Sequence, residues 1–387
     1  MEKKQNLQSN IVIAAFVFLV FGLTIAGLFS PVRERSESEN RTLAQKPEFT
    51  LESLFEKDET KRYTRKYEAF LTDQFIGRDA WIGIKTRVER MLGKTDINGV
   101  YFAKDGYLIT RTDADAIDTE QEEKNIAALA AFLEKYQKIY GTDRVHAMIV
   151  PTAADILDEK LPAFTTEYNQ DALLDRLAME LPEGSLLDSR GELNAHEDEY
   201  LFYRTDHHWT ALGAYYAYRA WAKETGHEIR ELSEYDERVG SDEFYGTLYS
   251  KVNLPMQADS VMIYDDGRNY RVEYDMSQKF SSGLFVESRL EEKDKYMVYL
   301  DGNHAITHIV QNRAEKKDRR LLVIKDSYAH TFVPFLAQDY DEVVMIDFRY
   351  CKMPVSSITT QFGITDVLVL YNATNFIEDK NLYQLEK

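Results

Sequence analysis

Four short apolar runs constrain this chain more than any other feature: VHAMIV (Val145–Val150), LLVIK (321–325), EVVMI (Glu342–Ile346) and VLVLY (367–371). Runs of this length without polar alternation read as strands buried on both faces. They alternate with stretches of helical spacing, which predicts an α/β fold: a mostly parallel sheet between two layers of helices. Thr119–Tyr140 is one such helix, with Thr119 and Glu122 as a capping box and Gly141 as the stop. Others are expected over 170–181 and 211–223, the latter ending at Gly226, and 185–187 offers a further short strand. VYFAKDGYLI (100–109) predicts a hairpin turning at Lys104-Asp105-Gly106. Between about 231 and 320 the rhythm gives way to a polar, tyrosine-rich stretch, expected to be an insertion or lid beside the sheet.

The amino terminus is of another kind. From Ile11 to Phe29 no charge interrupts IVIAAFVFLVFGLTIAGLF, long enough for a helix to cross a bilayer. Lys3 and Lys4 precede the run, while Arg33 and Arg35 beyond it are diluted by Glu34, Glu37 and Glu39, so the expected topology is N-terminus in, bulk outside. No A-x-A site follows, which favours an uncleaved anchor over a signal peptide, cleavage of which would leave a secreted protein. The expected organisation is an anchor over 1–30, a polar arm over 31–50 and an extracytoplasmic domain over 51–387. Within it, 51–92 has helical spacing, with Phe55, Tyr63, Tyr67, Phe70, Leu71, Phe75, Trp81, Ile84 and Met91 as a candidate buried stripe. Asn40 heads a glycosylation sequon, which matters only in a host that glycosylates.

Composition removes several function classes. With 47 Lys+Arg against 66 Asp+Glu the formal charge is −19, which disfavours a nucleic-acid partner. The single cysteine, Cys351, excludes an intramolecular disulfide and cysteine-rich zinc sites. Gly93-Lys94-Thr95 imitates the end of a P-loop, but Val88 stands where the first glycine belongs.

Two segments carry candidate chemistry: Tyr203-Arg204-Thr205-Asp206-His207-His208-Trp209-Thr210 before a helix, and Lys325-Asp326-Ser327-Tyr328-Ala329-His330 after a strand. In a parallel sheet ligands bind where strands turn into helices, and Ser327 lies at such a turn. A serine hydroxyl needs an adjacent base, and the base an orienting carboxylate. Asp206 and His208, two residues apart in an extended loop, would share one side of the backbone, with His207 on the other. His330, one helical turn beyond Ser327, is the competing base. Both aspartates are also plausible helix caps, and Asp-His-His is a possible metal half-site. With no HExxH and no nearby third ligand, no metal is expected.

TDHHWT, the aromatic helix after it, LLVIKDSYAHTFVPFL, ENRTLAQKP, NGVYFAKDGYLI and IDFRY together resemble the DHHW family of bacterial exported proteins. That family is similar to the SGNH-hydrolase-like proteins of alginate O-acetylation, the AlgJ and AlgX type. The resemblance implies an SGNH-hydrolase-like α/β/α fold and a triad in the order Asp206, His208, Ser327. It implies an extracytoplasmic O-acetyltransferase of a cell-surface polysaccharide, with no cofactor and with an MBOAT-type membrane acyltransferase supplying acetyl groups. An acetyl-esterase of the same polymer, or a non-catalytic glycan-binding or assembly scaffold, are the alternatives. The usual glycine before Asp-Ser is Lys325 here, and the family's oxyanion donors have no secure counterpart. The amide of Ser327 or Tyr328, Arg349 and Asn372 are candidates because each follows an expected strand, while Tyr203, Trp209 and Tyr328 offer rings to stack on sugars. A −19 surface also makes a neutral or amino-sugar acceptor a better expectation than a polyanion.

Overall fold

The computed structural model describes residues 2–36 and 41–387, and Asn40 of the sequon lies outside them. The chain divides into two compact units, one of residues 1–94 with 250–254, the other of 95–249 with 255–387.

In the first unit, Glu2–Phe29 is one helix, and its stretch Ser9–Gly27 is long and apolar enough to cross a membrane. Helices Tyr63–Asp73 and Arg78–Met91 follow. The stripe expected to be buried is not: Phe55 is 82% and Met91 87% exposed, with Leu71, Phe75, Trp81 and Ile84 also on the surface. Helix Arg78–Met91 instead buries the face of Gly83 and Thr86, where a Cβ on Gly83 would stand 2.8 Å from the Asn253 carbonyl. Helical spacing located the helices but chose the wrong face, because a small-residue face packs as well as an apolar one.

The second unit contains a seven-stranded sheet. In chain order its strands and a separate ladder are β1 (Val145–Val150), β2 (Asp236–Phe244), β3 (Asp259–Asp265), β4 (Tyr270–Tyr274), β5 (Lys279–Ser282), β6 (Ile306–Gln311), β7 (Arg320–Lys325), β8 (Glu342–Ile346) and β9 (Asp366–Asn372). The sheet order is β5-β4-β6-β8-β7-β9-β1, and β2 pairs with β3 apart from it. Strands β8, β7, β9 and β1 run parallel, whereas β6 is antiparallel to β8, β4 to β6, and β5 to β4. The sheet is therefore mixed rather than mostly parallel, and the stretch read as an insertion supplies three of its strands. Those strands escaped notice because YRVEY, KFSS and ITHIVQ are short or alternate polar and apolar residues, unlike the continuous runs of the parallel half. Residues 185–187 make only a bridge, Leu186 to Ala147 of β1.

Side-chain alternation sorts the core into two faces. Leu321 and Val323 of β7 pack with helices α3 (Ala211–Thr225) and α4 (Ala329–Leu336). Leu322 and Ile324 pack with α1 (Thr119–Tyr140), α2 (Gln170–Glu180), α5 (Val355–Phe362) and α6 (Ala373–Glu378). This is a helix–sheet–helix sandwich. The cap of α1 is Asp118, whose side chain accepts from Gln121 N at 3.1 Å, one residue before the expected Thr119. The turn at 104–106 joins Val100–Phe102 to Leu108–Thr110 as expected.

One half-buried histidine ties this fold to pH. His227 stacks on Trp221 and accepts from Arg319 Nη1 at 2.7 Å. Burial, helped by the Arg319 charge, pushes its pKa down to about 4. The unfolded chain then binds the proton more readily, so this contribution to stability is full above about pH 6.5 and drains away as pH falls towards 4. Denaturation midpoints across that window should fall less steeply in His227→Gln, and equal slopes would refute the assignment.

Candidate active site

The DHHW loop is pinned at its base. Phe202 and Trp209 form an antiparallel bridge, Thr210 N donates to the Leu201 carbonyl at 2.8 Å, and Thr210 caps α3 through Gly213 N. Between these anchors Asp206 folds back on its own loop: its Oδ1 accepts from His208 N at 3.0 Å and bonds His208 Nδ1 at 2.6 Å. This Asx-type turn, not simple two-residue alternation, puts carboxylate and imidazole on one side. The other ring nitrogen, Nε2, lies 2.7 Å from Ser327 Oγ. Asp206, His208 and Ser327 thus form one unbroken relay, all three buried but not sealed, with Ser327 6% exposed.

Two ties hold the loop against the serine turn. The Trp209 indole Nε1 donates to the Tyr328 carbonyl at 3.0 Å, and the Tyr328 hydroxyl donates to the His207 carbonyl at 2.8 Å. Both bonds lie next to relay residues, so they set the His208–Ser327 separation. Trp209, Tyr203 and Tyr328 are 0% exposed, so none offers a ring to a ligand as the sequence suggested; they are packing for the relay.

Several parts were not apparent from the sequence. Oδ2 of Asp206 accepts from Thr247 N at 2.7 Å and from Thr247 Oγ1 at 3.0 Å. The preceding Gly246 packs so closely on Asp206 that a Cβ there would overlap its side chain, 2.6 Å from Cγ. Asp259, on β3, accepts from the N–H groups of Arg204 and Thr205 at 2.9 and 2.8 Å, fixing the residues just before Asp206. Tyr296 stacks on His208 at 3.8 Å between ring centroids and donates to the Ser327 carbonyl at 3.0 Å. All four lie within 231–320, and the only sequence signal was a Gly-Thr pair and a set of tyrosines without periodicity.

Electrostatics favour an ionised Asp206. Its burial opposes the charge, but the imidazoles of His207 and His208, with the bonds from His208 and Thr247, outweigh burial and hold the carboxyl well below the usual range. Asp326 has the opposite balance: burial raises its pKa despite bonds from Tyr328 N, Asn372 N, Asn372 Nδ2 and Asn375 Nδ2.

Those bonds narrow the oxyanion candidates to one. The Tyr328 amide is committed to Asp326, and Asn372 to Asp326 and to capping α6. Arg349 clamps Asp347 through Nε at 2.9 Å and Nη2 at 2.6 Å, and its Nη2 also reaches Asn303. Among the described residues, the Ser327 N–H meets no protein acceptor, which leaves it available to a developing oxyanion. His330 is no rival base: its Nε2 lies 2.7 Å from Lys325 Nζ, and burial and that cation push its pKa well down. Lys325 ends β7 as an ordinary strand residue, its amine buried against His330 and Asp347, so the turn into Ser327 needs no glycine. Ligand atoms of Asp206, His207 and His208 lie within 4.8 Å of one another, as a metal would require. Both His208 nitrogens are already in the relay, and His207 Nδ1 bonds Thr247 Oγ1 at 2.8 Å, so an ion would have to break these bonds.

Comparison with known proteins follows the same residues. The family model described as DHHW protein matches residues 123–346, well over half of the chain, and spans the relay from Asp206 to Ser327. The chain belongs to the DHHW family. Among solved structures, a DHHW family protein from Eubacterium siraeum is 26% identical with a TM-score of 0.61, over 75% of this chain and 96% of that one. Bacillus cereus PatB1, solved with a sulfonyl adduct, is 19% identical with a TM-score of 0.60, over 74% and 100%. The O-acetyltransferase domain of Pseudomonas putida AlgJ matches at 13% identity and a TM-score of 0.44, over 74% and 98%. Comparison with curated proteins gives no match. The sandwich is thus shared with PatB1 and with a second DHHW protein.

Proposed function

We propose that this DHHW protein is an extracytoplasmic O-acetyltransferase that forms an acetyl-enzyme on Ser327 and passes the acetyl group to a hydroxyl of a cell-surface polysaccharide. The observation that carries this reading is the relay from Asp206 through His208 to Ser327, with links of 2.6 and 2.7 Å. Ser327 Oγ attacks the donor carbonyl while its proton passes to His208 Nε2. The tetrahedral oxyanion draws on the Ser327 N–H, and its collapse expels the leaving group, which takes the proton from His208. An acceptor hydroxyl then gives its proton to Nε2 and attacks the acyl carbon. The second collapse returns that proton to Ser327 Oγ and releases the acetylated sugar. Water in place of the sugar gives acetate, so transfer depends on the acceptor being held and water displaced.

The sequence resemblance to alginate O-acetylation proteins supports acetyl as the group and an MBOAT-type membrane protein as its source. The Ser9–Gly27 helix supports tethering at a membrane. A sulfonyl fluoride and an acetyl-ester reporter test the site together: each should leave its acyl or sulfonyl mass on Ser327 and on no other residue. Neither adduct should form in Ser327→Ala. Modification elsewhere, or none in the folded wild-type protein, would sink the proposal. Acetylated sugar formed when oligosaccharides are added separates transferase from esterase.

A further inference from the structure

Register places a second site on the same rim as Ser327. Ile324 of β7 lies opposite Ile346, Ile346 opposite Ile306, and Thr307 opposite Tyr274, so these four strands end together at one edge of the sheet. Ser327 follows β7 there. Beyond the ends of β6 and β4, a recess of about 780 Å³ opens between Tyr274, Ser281, Phe285, Arg289, Asp301 and His304. From β7 to β4 is three strand spacings, about 14 Å at ~4.8 Å each. Rings connect the two places on one face of the sheet: Phe285 meets Tyr299 at 6.1 Å, Tyr299 meets Tyr296 at 5.4 Å, and Tyr296 stacks on His208. Half-way along, Asn303 and Arg349 are exposed and bonded to each other at 3.0 Å.

We infer that this recess is a binding subsite for an uncharged sugar chain, which lies along the rim and brings one of its hydroxyls to Ser327. The inference rests on the function proposed above and adds how the acceptor is held. Its polar groups are already oriented: Arg289 donates to Asp301 at 2.6 Å, and His304 bridges Asp275 and Asp301 at 2.9 and 3.1 Å. Fixed carboxylates and an imidazole beside a partly exposed phenylalanine match the hydroxyls and C–H face of a sugar ring. The lining carboxylates Asp275, Glu287 and Asp301 outnumber the cations Lys279 and Arg289, which opposes a uronate chain. Binding far from the reacting bond would supply the acceptor positioning on which transfer rather than hydrolysis depends.

The test is direct binding to the full chain in detergent, carrying Ser327→Ala so that nothing turns over. The probes are neutral glucan, galactan and N-acetylglucosamine hexamers, with a uronate hexamer for comparison. At least one neutral hexamer should bind more tightly than its monosaccharide and protect Lys279 from an amine-reactive reagent. Ser281→Trp, which fills the recess, should weaken that binding about tenfold or more. Phe285→Ala should weaken it too, and a melting curve reports whether each variant is folded. No binding of any neutral hexamer, preference for the uronate, or tight binding that leaves Lys279 unprotected would overturn the inference. Binding of this kind without acetyl transfer by the wild-type protein would instead overturn the proposed function and leave the subsite standing.

Discussion

Asp206→Asn is expected to lower turnover of an acetyl-ester reporter about 10⁴-fold, with little change in KM. The carboxylate accepts on both oxygens: Oδ1 from the backbone and Nδ1 of His208, Oδ2 from the backbone and hydroxyl of Thr247. An asparagine presents one NH₂ group to this all-donor surround, so one pair of bonds becomes donor against donor whichever way the amide turns. If the oxygen stays toward Thr247, the NH₂ faces His208 and favours the tautomer whose Nε2 carries a proton, which cannot take one from Ser327. If it stays toward His208, the Thr247 bonds fail and the loop loses its anchor. Because the folded Asp206 is held well below the usual carboxylate range, it should contribute no inflection to the wild-type rate profile above about pH 4. A fall of less than tenfold in a folded variant would remove Asp206 from the relay.

Gly246→Ala is expected to cost about 10²–10³ in the same assay, although residue 246 carries no chemistry. The new Cβ would overlap the Asp206 side chain, 2.6 Å from Cγ, and both partners are fixed. Gly246 N donates to Thr205 Oγ1 at 3.0 Å, and Thr205 in turn bonds Asp259. The overlap must therefore move the Thr247 amide off Oδ2 or swing the carboxylate away from His208. Loss of one set of these buried bonds should also lower stability by roughly 1–3 kcal/mol. Near-wild-type turnover in Gly246→Ala would show that the loop has slack that the packing denies.

What could be read from the sequence follows burial. The four parallel strands were legible because burial on both faces makes them continuously apolar, and the relay because its three residues lie in two compact motifs at strand–helix junctions. The antiparallel half was not, since β4, β5 and β6 carry Arg271, Glu273, Lys279 and His308 among their apolar residues and alternate as half-solvated strands do. Thr247 reaches Asp206 across 41 positions, Asp259 reaches Thr205 across 54 and Tyr296 reaches Ser327 across 31. No local spacing rule reaches that far. Arg349, Asn372 and Tyr328 were sound choices by position, at the ends of β8, β9 and β7, but position does not show whether a donor is already spent on Asp347 or Asp326.

The middle of the sheet has a consequence for how the molecule is made. Its central strands β8, β7 and β9 all come from residues 320–372, while β1, laid down some 170 residues earlier, has β9 as its neighbour in the sheet. During synthesis β4, β5 and β6 can pair as soon as they are made, but β1 must wait for β9, and the DHHW loop waits for a serine not yet made. Contacts of such long sequence separation slow folding and favour a late, all-at-once closure. A chain cut short before β9 would leave β1 without its neighbour in the sheet and Asp326, beside Ser327, without the bonds from Asn372.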